Sequence, residues 1–274
     1  MTTPRGPLAR VWGTGVGRIL MQAISNGSYS YLMRRVDDDV LFLNWSYEED
    51  PPMGLPLDPA DEPDRYPIQL YYATATQATD LAGQQVLEAG CGRGGGASYL
   101  TRTLRPASYV GLDISATGVE FCRRRHQVPG QEYVAGNAED LPFPAESFDA
   151  VINIESSQCY AHFDRFLHEV ARVLRPGGVL LYADVRRCAE CARWEAALHT
   201  APGLLVVSWR EANAEVLRGM EANTARWQTV ADQLAPRFLR PLIRQAVPGR
   251  GSSYWRTLNH RKASYRFYCL AKAT

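Results

Sequence analysis

Residues 86–100 read VLEAGCGRGGGASYL, an apolar run that passes directly into five glycines within residues 90–96 and then into a helix-like segment. Glycine adopts positive φ without a steric penalty and has no Cβ, so a strand that ends in glycines and restarts as a helix lets a ligand come close to the backbone. In an open parallel sheet such a turn lies beyond the carboxyl end of a strand, where ligands bind as the strand order reverses. The segment therefore points to an α/β chain with a small-molecule site, and leaves the ligand open.

The sequence around it supports that fold. From Gln85 the chain alternates strand-like and helix-like segments: QVLEA, GGASYLTRTL, SYVGLDI, SATGVEFCRRRH, QEYVAG, FDAVINI, FDRFLHEVARVL and VLLYAD. QEYVAG and FDAVINI are successive strands, and elsewhere the alternation implies βαβ units with right-handed crossovers. In FDRFLHEVARVL the residues Phe163, Phe166, Leu167, Val170, Val173 and Leu174 recur at helical spacing, and Pro176, Gly177 and Gly178 stop the helix. Beyond Asp184 come a helix AECARWEAALH, a strand LLVVSW, a long helical stretch and the alternating aromatic run SYRFYCLAK, which reads as a last strand. The expected organisation is an N-terminal lid over the substrate in residues 1–83, a core in 84–209, an inserted helical lid in 210–262 and a last core strand in 263–274. Short helices are expected in the first lid over residues 16–24 and 69–82.

Composition narrows the partner. A chain of 274 residues that is 46% hydrophobic buries a sizeable core. Its 30 Lys and Arg against 29 Asp and Glu leave a formal net charge of +1, so no global basic footprint for nucleic acid exists. No segment reaches the roughly 18 apolar residues of a membrane span, and the N-terminal stretch lacks the layout of a secretory signal. The expected location is the cytoplasm. The six cysteines are scattered and read as reduced thiols.

Two ligand classes fit the glycine loop. A nucleoside-triphosphate loop would need Lys followed by Ser or Thr, which is absent. A dinucleotide remains possible, because Asp113 stands 19 positions after Gly94 at the end of the next strand, placed to accept two ribose hydroxyls. Against it, the loop reads E-x-G-x-G-x-G and carries Glu88 on the strand itself, a carboxylate suited to a cationic ligand.

With GNAEDLPF (residues 136–143), FDAVINIE (148–155) and LRPGG (174–178), the sequence resembles class I S-adenosylmethionine-dependent methyltransferases. Among them it is most similar to the actinobacterial phthiotriol and phenolphthiotriol dimycocerosate methyltransferases, O-methyltransferases of polyketide-derived lipids. The likeness runs through LNWSYEEDPPMGLPL, CGRGGGASYLTRTL, PASYVGLDI, AEVLRG and SYRFYCLAK, nearly the whole chain. It implies a doubly wound, Rossmann-like seven-stranded sheet with an antiparallel last strand, and S-adenosylmethionine as cofactor. Glu88, Gly90, Cys91, Gly92 and Gly94 would then line the methionine end, Asp113 would take the ribose hydroxyls and Ile114 would pack on adenine. Asn137, where most relatives carry Asp, and the backbone of Ala138 would meet the adenine edge. Asn153 and Ile154 would flank the sulfonium, and Asn44 and Tyr47 would cover the cofactor.

The reaction implied is methyl transfer to a hydroxyl of a hydrophobic, polyketide-derived small molecule. An activated methyl needs chiefly a nucleophile held in line and water excluded, and a general base adds about 10²- to 10⁴-fold for an alcohol. The loop ESSQCYAHF after FDAVINI lies where that base belongs. Many relatives carry histidine in mid-loop, where this chain has Gln158 and Cys159. His162 is the first candidate base and Glu155 the second. Tyr31, Trp45, Gln158, Tyr160, Trp209 and Tyr254 are the expected acceptor contacts. Two other reaction classes remain: transfer to carbon or nitrogen, and a cyclase that keeps the cofactor as a scaffold.

Two further motifs carry less. GTGVGR at residues 13–18 follows no strand and reads as a flexible entry to the lid, and Cys188 and Cys191 lack a second ligand pair, so no metal site is expected. A homodimer is compatible with the sequence.

Overall fold

A computed structural model describes residues 38–234, 238 and 240–274. The expected helix at 16–24, the GTGVGR segment and Tyr31 lie outside these residues.

Strands β1 (Gln85–Ala89), β2 (Ser108–Asp113), β3 (Gln131–Ala135), β4 (Phe148–Ile154) and β5 (Leu174–Arg187) pair in parallel. Strand β7 (Ala263–Lys272) runs antiparallel to β5 and to the edge strand β6 (Leu204–Glu211). The seven-stranded order is β3-β2-β1-β4-β5-β7-β6, so strand order reverses between β1 and β4. Side chains alternate across the sheet with the period of two that a strand imposes. Val86, Ile152, Leu181 and Phe267 join the core on one face, and Leu87, Val151, Leu180 and Tyr268 join the core on the other.

Helices α1 (Arg65–Ala75), α2 (Gly95–Leu104), α3 (Ala116–Arg125), α4 (Phe163–Val173) and α5 (Cys188–His199) accompany the sheet. Helices α6 (Asn213–Ala222), α7 (Thr224–Leu234), α8 (Arg240–Ala246) and α9 (Ser253–Asn259) fill the connection from β6 to β7. Three expected boundaries shift. Strand β5, read from the sequence as VLLYAD over residues 179–184, runs from Leu174 to Arg187. The helix expected over 69–82 is α1, which begins at Arg65 and ends at Ala75. Pro67 sits in its first turn, where a missing N–H costs nothing. Strand β6 continues to Glu211, so the inserted helices start at Asn213.

The glycines of the opening motif divide their work. Gly90, Gly92 and Gly94 have φ of 89, 58 and 74°, a region that disfavours side chains. Gly94 caps the start of α2, while Gly95 and Gly96 lie within it, where an added Cβ would overlap Leu41 and the Tyr71 ring. The glycine run thus serves the loop in one half and close packing against Leu41 and Tyr71 in the other.

The strap over residues 40–47 is held between α1 and α6. Tyr47 N–H donates to Tyr66 O at 3.0 Å, Glu48 N–H to Glu215 O at 3.0 Å and Asn223 Nδ2 to Ser46 Oγ at 2.9 Å. Gly219 on α6 faces the strap so closely that a Cβ would overlap the backbone of Ser46 and Tyr47. Backbone cannot rotate away as a side chain can. Gly219→Ala is therefore expected to destabilise the protein by about 1–3 kcal/mol, read as a lower unfolding midpoint in thermal or urea melts.

Candidate active site

The carboxyl ends of β1, β2 and β4 meet at the strand-order reversal, under the strap and the inserted helices. They enclose a cavity of about 720 Å³. Gly90, Cys91 and Gly92 form one wall without large side chains, Asp113 and Ile114 come from the end of β2, and Asn137 and Ala138 from the loop after β3. Ile154, Glu155, Gln158 and Tyr160 come from β4 and its loop, Asn44 and Trp45 from the strap and Tyr254 from α9. The structure thus brings most of the residues singled out in the sequence to one place.

The Asp113 carboxyl is fixed by backbone donors: Gly92 N–H reaches Oδ2 at 3.0 Å and Ser115 N–H reaches Oδ1 at 2.9 Å. The two acceptor oxygens of a carboxylate match the two hydroxyls of a vicinal diol. Beside it Ile114 is 47% exposed, an apolar face presented to the cavity that a planar base can cover. Asn137 Oδ1 accepts Glu139 N–H at 3.0 Å, so it closes its own turn as well as facing the cavity.

Glu155 follows β4 with φ of 52°, a strained backbone for a non-glycine residue. Its half-buried carboxyl lines the cavity. Oε2 accepts Trp45 N–H at 2.9 Å and Oε1 accepts the Tyr265 hydroxyl at 2.8 Å. Burial pushes the carboxyl up to about 8, against the lowering effect of those two donors. Two carboxyl groups, Asp113 and Glu155, thus face the cavity, and the buried guanidinium of Arg93 lies over the Phe121 ring at 3.8 Å. This set suits a cationic nucleoside better than a pyrophosphate.

Several expected contacts lie elsewhere. Glu88 is fully buried behind Tyr71 and Tyr109, whose hydroxyls donate to it at 2.8 and 2.9 Å, and burial raises it to about 7. Tyr71, not Glu88, lines the cavity. Gly94 is turned toward Tyr133 and His126. Asn153 is buried beneath the loop, its Nδ2 within 2.8 Å of Ala89 O, 2.7 Å of Ser156 Oγ and 3.0 Å of the Tyr160 hydroxyl, so it braces the wall from behind. Tyr47 points away from the cavity onto Phe267, 5.7 Å between ring centroids, because Trp45 takes the inward direction of the strap. Trp209 stands on edge strand β6, half exposed and stacked on Tyr268 at 6.0 Å. His162 precedes α4 and faces a second, adjoining cavity that Glu155 does not line. The 3-10 turn at Ser157–Cys159 diverts the chain between them.

Sequence reasoning missed Tyr71, Ser156 and Tyr265. An added Cβ on Gly90 would overlap Ser156, so the glycine there makes room for the serine. Tyr265 is reachable only through the sheet pairing, since it lies 110 residues from Glu155. Tyr265→Phe keeps the ring and removes a donor to the charged carboxyl, worth about 1.5–3 kcal/mol. The Glu155 ionisation is then expected to move up by roughly one unit or more, seen as an alkaline displacement of the pH profile of turnover.

Among the described residues no helix is long and apolar enough to cross a membrane. Residues 87–182 match the model of a methyltransferase domain. The chain is 54% identical to the fatty-acid O-methyltransferase of Mycolicibacterium smegmatis, covering 89% of this chain and 88% of that protein. It is 53% identical to the phthiotriol/phenolphthiotriol dimycocerosates methyltransferase of Mycobacterium tuberculosis, covering 86% and 87% respectively. In fold it resembles the cyclase SpnF, with a TM-score of 0.69, 19% identity and coverage of 93% of this chain and 96% of that one. With its seven-stranded sheet and antiparallel last strand, the chain belongs to the S-adenosylmethionine-dependent methyltransferase family that includes these two mycobacterial enzymes.

Proposed function

We propose that the protein methylates an oxygen of a long-chain, amphipathic acceptor at the Glu155 corner of the cavity. When bound there, S-adenosylmethionine supplies a methyl group already activated by its sulfonium. Asp113 would hold the ribose hydroxyls and Ile114 the adenine face, with the backbone of Gly90 and Gly92 along the methionine end. The names of the mycobacterial relatives, a fatty-acid and a phthiotriol methyltransferase, support an oxygen acceptor on a lipid.

Glu155 is the observation that carries the reading. A carboxyl fixed by Trp45 and Tyr265, exposed to the cavity and raised to about 8, has the basicity to take a proton from a hydroxyl as the new bond forms. The lid side chains Trp45 and Tyr254 shield that corner from water.

The same residue also supports a second reading. A protonated Glu155 can donate a hydrogen bond to a carboxylate acceptor, which needs no base. The two readings give opposite pH dependence: turnover of an alcohol rises as Glu155 ionises, and turnover of a fatty acid falls. Methyl-labelled cofactor with a long-chain alcohol or a long-chain acid, followed by mass analysis of the product across pH 6–9, tests both. Label in an ether or an ester supports oxygen transfer. Label on carbon or nitrogen only, or a rearranged product without label, contradicts it.

A further inference from the structure

A second cavity of about 500 Å³ lies beside the first, on the other side of the loop after β4. Buried Ala161, Val185, Trp194 and Ala263 line it, and exposed Asp164, Arg187, Glu190 and Arg193 stand at its rim. The guanidinium of Arg186, almost buried in the same wall, is neutralised by Asp184 at 3.0 Å and lies over the Trp194 ring at 5.0 Å. The interior therefore presents hydrocarbon and a compensated charge, and the opposite charges at the rim keep it wet. Such a layout suits an apolar chain with a polar end.

Its position relative to the first cavity defines its role. No residue of the glycine loop, the end of β2 or the Asn137–Ala138 turn lines it. Trp45, Gln158, Tyr160 and Tyr254 line both cavities, and the Trp45 and Tyr254 rings stand 5.5 Å apart. Trp45 is also the residue whose N–H holds Glu155. The partition is thus one layer of side chains thick and ends at the reacting carboxyl. An in-line acceptor must approach from the side away from the leaving group, and a cavity that touches the reaction edge without any cofactor wall is on that side. Trp227, Val230 and Val247, packed with Val40 and Ala231, form an apolar wall at the other end of the first cavity, which makes that end the competing seat for the chain in the test below.

We infer that the second cavity holds the hydrocarbon chain of the acceptor, with Trp45 and Tyr254 forming the gate through which its oxygen reaches Glu155. The inference rests on the oxygen-methylation reading above. It makes α5 and α9, which flank the cavity, the elements that set acceptor length.

Ala197→Phe on α5 and Thr257→Phe on α9 narrow the cavity from different helices. Each is expected to lower the ratio of kcat/KM for 1-hexadecanol over 1-octanol by about tenfold or more, because buried methylenes carry the preference. Affinity for S-adenosylhomocysteine, measured by calorimetry, should stay within about twofold of the parent, which also reports that the variant is folded. If both variants keep the parent's ratio, the inference is overturned. A second measurement uses the unaltered protein: hexadecanol bearing a terminal diazirine is photolysed on it and the labelled peptides are mapped. Label in 188–199 or 253–259 is the expected result, and label confined to 224–248 overturns the inference. If the parent methylates neither alcohol nor acid, the oxygen reading fails, while the labelling still reports where the chain lies.

Discussion

Glu155→Gln is expected to lower kcat for an alcohol acceptor by about 10²- to 10⁴-fold, with cofactor affinity little changed. Glutamine retains the shape: its one amide oxygen can accept Trp45 N–H while its NH2 faces the Tyr265 hydroxyl, which can turn to accept, but it cannot accept a proton at neutral pH. In the parent, turnover should rise with pH through a value at or below about 8, because a bound sulfonium favours the carboxylate and lowers the ionisation from its ligand-free position. The variant should lose that rise. With a fatty-acid acceptor the expectation reverses in kind: glutamine still offers an N–H donor, so most of the activity should survive. Equal loss on both acceptors would mean that Glu155 shapes the cavity and moves no proton.

The same ionisation reaches stability. Glu155 and Glu88 are raised by burial to about 8 and about 7, above an ordinary value of 4.5. Between about pH 4.5 and 8 the folded chain therefore binds more protons than the unfolded chain, and stability falls as pH rises across that window. The contribution is fully present below pH 4.5 and lost through pH 8. Glu155→Gln should flatten the dependence in cofactor-free melts.

Asp113→Ala is expected to weaken binding of S-adenosylhomocysteine by at least about 100-fold, or 2.7 kcal/mol. Two charge-assisted hydrogen bonds to the ribose, each worth about 1.5–3 kcal/mol, are removed. The variant also leaves Gly92 N–H and Ser115 N–H without their acceptor, so the glycine loop and the start of α3 lose their shared anchor. Asp113→Asn, which keeps one oxygen acceptor, should fall between. Calorimetric titration beside a thermal melt separates the ligand contact from the loop: unchanged affinity in a folded Asp113→Ala protein would remove Asp113 from the nucleoside site.

The sheet was legible because its signals are local. Apolar runs such as QVLEA and FDAVINI, each followed by turn residues, mark parallel strands buried on both faces. The glycines of the first loop and the carboxylate at the end of β2 follow from the same geometry. Where the reading failed, the missing information was direction. Glu88 alternates onto the face of Val86, where Tyr109 and Tyr71 cover it, and counting by twos along β1 would have placed it there. Trp209 is expected at the acceptor, but its ring stacks on Tyr268 across the edge pair β6–β7 and lines neither cavity. His162 is close to Glu155 in sequence, yet the 3-10 turn between them sends it to the other cavity. Tyr265 and Trp45 reach Glu155 from 110 residues away on either side, a convergence that only the closed sheet and the strap produce.

The central claim is that the cofactor's reactive end lies at the Glu155 corner, between two cavities. A crystal structure with S-adenosylhomocysteine and a long-chain alcohol tests it most directly. The expected density has the ribose hydroxyls on Asp113, the sulfur turned toward Glu155, and the alcohol oxygen beside that carboxyl with its chain past Trp45 and Tyr254. Density for the nucleoside away from Asp113, or a sulfur that faces away from Glu155, would contradict it.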